Sequence, residues 1–128
     1  MAKGHRSRIK RERNELKDTR PKAHHMYARI SDTKARIVLE QIKGKNVATA
    51  LSILTYSPRY AADLIEKVLK SAVANAENNQ GLDIKKLFVE EVHADQGPIM
   101  KRIQPRAKGR AYRIEKKMSH ISIILNER

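Results

Sequence analysis

The stretch Gln96-Gly-Pro-Ile-Met-Lys-Arg-Ile-Gln-Pro-Arg-Ala-Lys-Gly-Arg-Ala-Tyr-Arg-Ile-Glu-Lys-Lys-Met118 decides how this chain folds. Strand-forming residues lie on both sides of it, yet it is far longer than the roughly two to five residues of an ordinary hairpin loop. Its midpoint, Pro105-Arg106-Ala107-Lys108-Gly109-Arg110, carries turn chemistry, with limbs of similar length on either side. The reading is an extended β-hairpin whose limbs continue the flanking strands and project about 30 Å at roughly 3.3 Å per residue. Ile99, Met100, Ile103, Tyr112, Ile114 and Met118 are too few to hold such a ribbon by burial, and an isolated two-stranded ribbon is marginal in water. The same stretch holds eight cations, Lys101, Arg102, Arg106, Lys108, Arg110, Arg113, Lys116 and Lys117, against Glu115. It must gain order from something anionic that accepts a ribbon, and packed, folded RNA meets both conditions better than a smooth DNA duplex.

Working outward, Leu82 to Ala94 is rich in strand formers, and Ser119 to Leu125 alternates Ser119, Ile121, Ile123 and Leu125 on one face with His120, Ser122 and Ile124 on the other. Before them, the run Ala61, Leu64, Ile65, Val68, Leu69, Ala72, Val73 and Ala76 makes a continuous helical face that Gly81 stops. Ser57-Pro58 reads as its cap and first helical residue. A helix over about 32 to 43 follows from Ala35, Val38, Leu39 and Ile42, closed by Gly44, and Asn46 is placed to cap a short helix bearing Val47, Ala50, Leu51 and Leu54. Residues 26 to 31 alternate weakly, as a short strand would. The predicted fold is α+β: three helices packed on a small antiparallel sheet, with a long protruding β-hairpin and a basic, disordered or weakly helical N-terminal tail. The tail, 1–23, is expected to be an extension of a single domain, 24–128, whose arm spans about 96–118.

Net charge is +14 over 128 residues. Residues 1–23 hold Lys3, Arg6, Arg8, Lys10, Arg11, Arg13, Lys17, Arg20 and Lys22 against Glu12, Glu15 and Asp18, and with the arm they carry nearly all of that excess. A solvated surface needs no such segregation of one sign, whereas a polyanion partner explains it. There is no cysteine, which excludes disulfide scaffolds and thiol chemistry. No run approaches the roughly 18 apolar residues of a membrane span and no signal peptide is visible, so the expectation is a soluble intracellular protein.

Enzyme chemistry finds no support. His24 and His25 are adjacent and point apart, His5 lies in the tail, and His93 and His120 are single residues on strands. Glu90 and Glu91 alternate faces on a strand, so a solvated edge or a local arginine partner fits them better than an acid–base pair. No Gly-x-x-x-x-Gly-Lys motif is present. A DNA-compacting dimer, a small nuclease and an anionic-membrane binder are the rival classes. The first needs paired arms, the second a converging acid and base, and the third an amphipathic helix with a basic face.

Tyr27-Ala-Arg-Ile-Ser-Asp-Thr-Lys-Ala-Arg-Ile-Val38, Ala72-Val-Ala-Asn-Ala-Glu-Asn-Asn79, Gly97-Pro98, Met100-Lys-Arg-Ile-Gln-Pro-Arg-Ala-Lys-Gly-Arg-Ala111 and Ser119-His120-Ile121 closely resemble the bacterial large-subunit ribosomal protein twenty-two family, over about residues 24 to 127. The resemblance implies a non-enzymatic, cytoplasmic ribosomal protein without cofactor or metal that binds large-subunit ribosomal RNA and assists assembly. It implies a hairpin tip that lines the nascent-peptide exit tunnel opposite ribosomal protein four, so the nascent polypeptide is a further partner; no membrane contact and no homo-oligomer are expected. Carried over by position, the tip is Arg106, Lys108, Gly109, Arg110 and Ala111, and the arm segment associated with macrolide sensitivity is Met100, Lys101 and Arg102. The expected RNA-binding set joins the tail cations Lys3, Arg6, Arg8, Lys10, Arg11 and Arg13, the helix-entry cations Arg29, Lys34 and Arg36, and the eight cations of the arm. Asp32-Thr33 stands where the family commonly has Pro-Arg, which suits a helix N-terminus better than a phosphate.

Overall fold

The computed structural model describes residues 3–128, with side chains from Arg8 onward. In chain order the elements are α1 (Lys3–Glu15), β1 (Lys22–Ala28), α2 (Asp32–Ile42), α3 (Val47–Tyr56), α4 (Tyr60–Gln80), a single 3-10 turn at Ile84–Lys86, β2 (Leu87–Pro105) and β3 (Ala111–Glu127). The three strands form one antiparallel sheet in the order β1-β3-β2. This is the α+β arrangement read from the sequence: α2, α3 and α4 bury their apolar stripes against the sheet, and the β2–β3 pair runs on beyond it as a hairpin.

Spacing explains the core. Ala35, Val38, Leu39 and Ile42 of α2 and Ala61, Ala62, Ile65, Val68, Leu69, Ala72 and Ala76 of α4 recur every three or four residues and are buried. They meet Leu87, Val89 and Ala94 of β2 and Ile121, Ile123 and Leu125 of β3. The alanines let α4 lie close to its neighbours, and Gly81 ends it at φ 64, a left-handed conformation that glycine adopts without a Cβ clash. The Leu82 amide then donates to the Ala76 carbonyl at 3.2 Å and that of Gly81 to Glu77 at 3.0 Å, satisfying carbonyls at the helix end.

Four local readings change. Ser57 closes α3 instead of opening α4: its amide donates to the Leu54 carbonyl at 3.2 Å, its backbone is extended as a residue before proline prefers, and α4 starts at Tyr60 after Arg59. The strand expected from Leu82 starts at Leu87, because the Asp83 carboxylate accepts the Lys85 amide at 3.0 Å and winds Ile84–Lys86 into a turn. The first strand lies at Lys22–Ala28, earlier than the 26–31 alternation implies, and a register shift between His25 and Ala28 leaves Tyr27 at φ 58. Glu90 and Glu91 have the local arginine partner expected of them, but they do not diverge as strand alternation implies. A register shift between Val89 and Glu91 lets both carboxylates reach the Arg20 guanidinium, at 2.6 and 2.9 Å.

The N-terminal segment takes the helical alternative of its expectation. None of the described side chains of α1 is buried, and Arg8 pairs with Glu12 one turn on at 3.4 Å. Lys3 and Arg6, assigned to RNA from the sequence, have side chains outside those described. A helix without a core-facing stripe draws no stability from packing.

Candidate nucleic-acid interface

Every residue from Met100 to Lys117 is exposed, although the backbone is paired throughout both limbs. Ile99 faces Lys117, Lys101 faces Glu115, and Ile103 faces Arg113; on the other side of the ribbon Met100 faces Lys116, Arg102 faces Ile114, and Gln104 faces Tyr112. Cations and apolar side chains thus share both faces, and neither face is a core. At the tip the Arg106 amide donates to the Arg110 carbonyl at 2.8 Å, closing a turn in which Lys108 and Gly109 both have positive φ, 59 and 67. Glycine adopts that conformation freely; Lys108 is held there at a strain of about 1 kcal/mol or more. Arg106, Ala107, Lys108, Arg110 and Tyr112 line a hollow of about 590 Å³, with the Arg106 guanidinium 5.9 Å from the Tyr112 ring centroid.

Where the ribbon leaves the body, the register shifts between Gln96 and Ile99. A Cβ on Gly97 would stand 3.1 Å from the carbonyl carbon and oxygen of Met118, so only glycine fits without displacing backbone. Beside it Ser119 is fully buried, and its hydroxyl has no hydrogen-bond partner among the described residues.

Below this root lies a cleft of about 910 Å³ between the arm and the starts of α2 and α4. Arg29, Lys34, Arg59, Arg102, Lys116 and Lys117 line it together with Glu115, and among the described residues none of these six cations has a carboxylate within ion-pair distance. Ile30, Ala61, Met100, Met118 and the exposed ring of Tyr60 complete the wall. Neither α2 nor α4 has a side-chain cap at its first turn.

Of the cations expected to bind RNA, the fold gathers Arg29, Lys34, Arg102, Lys116 and Lys117 at the cleft and Arg106, Lys108 and Arg110 at the tip. Arg36 is separate: its guanidinium donates twice to the Ala94 carbonyl, at 3.2 and 3.0 Å, and pairs with Asp32 at 3.3 Å, tying α2 to β2. Asp32 therefore serves a helix start and an internal ion pair. Arg8, Lys10, Arg11 and Arg13 lie on α1, and Lys101 and Arg113 of the arm are not among the residues that line the cleft.

Arg20 gathers Asp18, Glu90 and Glu91 around one guanidinium and fixes the start of β1 to β2. Hydrogen bonds from the Arg20 side chain, then its backbone amide, hold the Asp18 carboxyl down at about 2, and those from Arg20 and His93 lower Glu91 as well. The histidines of the uncovered sheet face each have a local partner: His24 with Ser122 at 2.8 Å, His93 with Glu91 at 3.3 Å, and His120 accepting the Tyr27 amide at 3.0 Å. Among the described residues no three histidines or carboxylates are placed to hold a metal ion.

The family model described as Ribosomal protein L22p/L17e matches residues 23–126, taking in α2, α3 and α4, the cleft and the whole arm. The chain belongs to this family. It is 64% identical over 128 residues, the full length of both chains, to a protein of Lachnospira eligens named large ribosomal subunit protein uL22, and 65% identical, again over the full length of both, to one of the same name from Lachnoclostridium phytofermentans. A Clostridium novyi protein of that name is 54% identical over 102 residues, 80% of this chain and 92% of that protein. The L22p/L17e family comprises structural proteins of the large ribosomal subunit, not enzymes, and bacterial ribosomes are cytoplasmic. In this member, sequence pattern alone does not single out Arg59 or Tyr60. They reach the cleft because α4 begins two residues after Pro58 and points its first turn at the arm, a relation that no local periodicity encodes.

Proposed function

We propose that this chain binds large-subunit ribosomal RNA through the arm, the cleft and the tail, that it assists assembly of the subunit, and that its hairpin tip lines the nascent-peptide exit tunnel beside ribosomal protein four. One observation carries the reading: a ribbon paired along both limbs, exposed from Met100 to Lys117, bears eight cations to one carboxylate, and among the described residues none of those cations is ion-paired. Phosphates offset such charge, and base or protein contacts along the ribbon bury its apolar side chains. In this reading Met100, Lys101 and Arg102 form the macrolide-associated segment, and Arg106, Lys108, Gly109, Arg110 and Ala111 face the tunnel lumen or the RNA around it.

The experiment is a salt titration of binding to large-subunit RNA fragments. Log affinity falls linearly with log salt, each neutralised phosphate adding roughly 0.7 to 0.9 to the slope. Changing Lys108 and Arg110 together to alanine reduces that slope by up to about two such increments and leaves the thermal stability of the free protein almost unchanged. A flat salt response refutes the proposal.

A further inference from the structure

We propose that the cleft beneath the arm is a seat for unpaired RNA, about two nucleotides turned out of a helix, with a base against Tyr60 and the flanking phosphates on Arg29, Lys34, Arg59 and Arg102. The inference rests on the RNA-binding reading above and adds to it the kind of RNA structure recognised.

Three observations converge. The first is charge: six cations from the β1–α2 link, the first turn of α2, the start of α4 and both limbs of the arm line one cavity, opposed within it, among the described residues, only by Glu115. A surface that merely tracks a duplex backbone needs nothing more. The second is the apolar share of the wall: Ile30, Ala61, Met100 and Met118 line the cavity together with those cations. Phosphates gain nothing from such side chains, whereas the face of a base does. The third is Tyr60, which stands in the wall 63% exposed, an aromatic ring that the core does not use. Paired bases in an A-form helix are stacked within the duplex and beyond reach of a ring, so cations around an apolar and aromatic pocket suit a base that has left its stack. The volume, about 910 Å³, falls within the range of roughly 300 to 1,000 Å³ of pockets that enclose whole small molecules. Tyr56, 87% exposed two residues before Pro58, does not line the cleft and supplies the internal control.

The test compares the full chain binding two RNA hairpins of equal charge, one fully paired and one with a two-nucleotide bulge. The bulged hairpin is bound more tightly. Tyr60→Ala removes that preference, a loss of roughly five- to a hundredfold on the bulged hairpin alone, as expected for one stacked base. Tyr60→Phe keeps the preference, and Tyr56→Ala leaves it intact. Arg59→Ala lowers affinity for the bulged hairpin more than for the paired one. The double change Lys108→Ala and Arg110→Ala weakens both hairpins alike and preserves the ratio between them. Equal affinity of the native chain for the two hairpins, or a preference that survives Tyr60→Ala, overturns the seat while leaving RNA binding through the arm in place. Failure to bind either hairpin overturns both readings together.

Discussion

Strands β2 and β3 are one continuous pair of backbones, yet their two halves are stabilised in different ways. From Leu87 to Ala94 and from Ser119 to Leu125, one face of the pair is pressed against α2 and α4, and Val89, Ile121, Ile123 and Leu125 are fully buried. From Met100 to Pro105 and from Ala111 to Lys117, the same ladder of hydrogen bonds continues with every side chain in the open. Backbone pairing is common to both, so it cannot be what sets the stability of the body apart from that of the arm. Burial is the difference: each buried aliphatic side chain contributes on the order of 1.5–3 kcal/mol, and the arm has none. A ribbon of this kind has its shape specified by its own register and its rigidity supplied by what surrounds it.

The largest expected effect tests that division directly. Leu69→Ala empties a fully buried site on α4 and lowers stability by about 2–5 kcal/mol, read from the denaturant midpoint. Ile103→Ala, at a position 71% exposed on the arm, changes it by no more than about 0.5 kcal/mol. Comparable losses at the two sites would mean that the arm packs against the body in solution. Amide exchange sharpens the same contrast, being slow at Ile121 and Ile123 and fast from Met100 to Lys117 until RNA is bound.

A smaller effect lies at the junction of the halves. Gly97→Ala brings a methyl group to 3.1 Å from the Met118 backbone, which cannot swing aside as a flexible side chain would, and stability falls by about 1–3 kcal/mol. RNA affinity falls as well, because the displaced backbone re-aims the ribbon relative to Arg59 and Tyr60 across the cleft. If Gly97→Ala alters neither quantity, the root is looser than its geometry indicates.

How much of this was legible in the residues follows from which interactions are local. The stripes of α2 and α4, the glycine stop at Gly81 and the alternation of Ser119 to Leu125 are written at fixed spacings, so helices, central strand and core could be read directly. The arm was legible for the opposite reason: a long cationic stretch with a turn at its centre and too few apolar residues to fold upon itself. What could not be read depends on register between strands. An arginine partner for Glu90 and Glu91 is legible, but that both share one guanidinium is not, because it needs the ladder to slip between Val89 and Glu91, and that slip reflects the pairing of β2 with β3. The cleft was hidden likewise, since Arg29, Arg59 and Lys116 are distant in sequence and meet only when α4 starts beside the arm. Arg36, read as a cation for phosphate, also reaches the Ala94 carbonyl and Asp32, while its side chain stays 54% exposed.

The smallest effect distinguishes the roots of the two basic appendages. The arm is rooted by backbone, whereas at the root of the tail an ion cluster adds to hydrogen bonds such as that from the Leu125 amide to the Pro21 carbonyl: Arg20 is fastened by Asp18, Glu90 and Glu91. Asp18 and Glu91 are both held below the ordinary carboxylate range in the folded chain, so each favours the folded state at any pH above its unfolded value, about 4. That contribution disappears as pH falls through the folded value, which for Asp18 is about 2. Between about pH 4 and 2 the tether is released while the core, which has no titrating group in it, keeps its packing. The carbon-13 shift of the Asp18 carboxyl reads this directly, with a midpoint near 2 in the native chain and near 4 in Arg20→Gln, where the guanidinium that lowers it is gone. Amide shifts of Lys22 and Ala23 follow the same curve in the native chain, and those of Ala72 and Leu125 do not. Were the Asp18 midpoint unchanged in Arg20→Gln, the tail would be held by something other than this ion cluster, and the two appendages would no longer differ in kind at their roots.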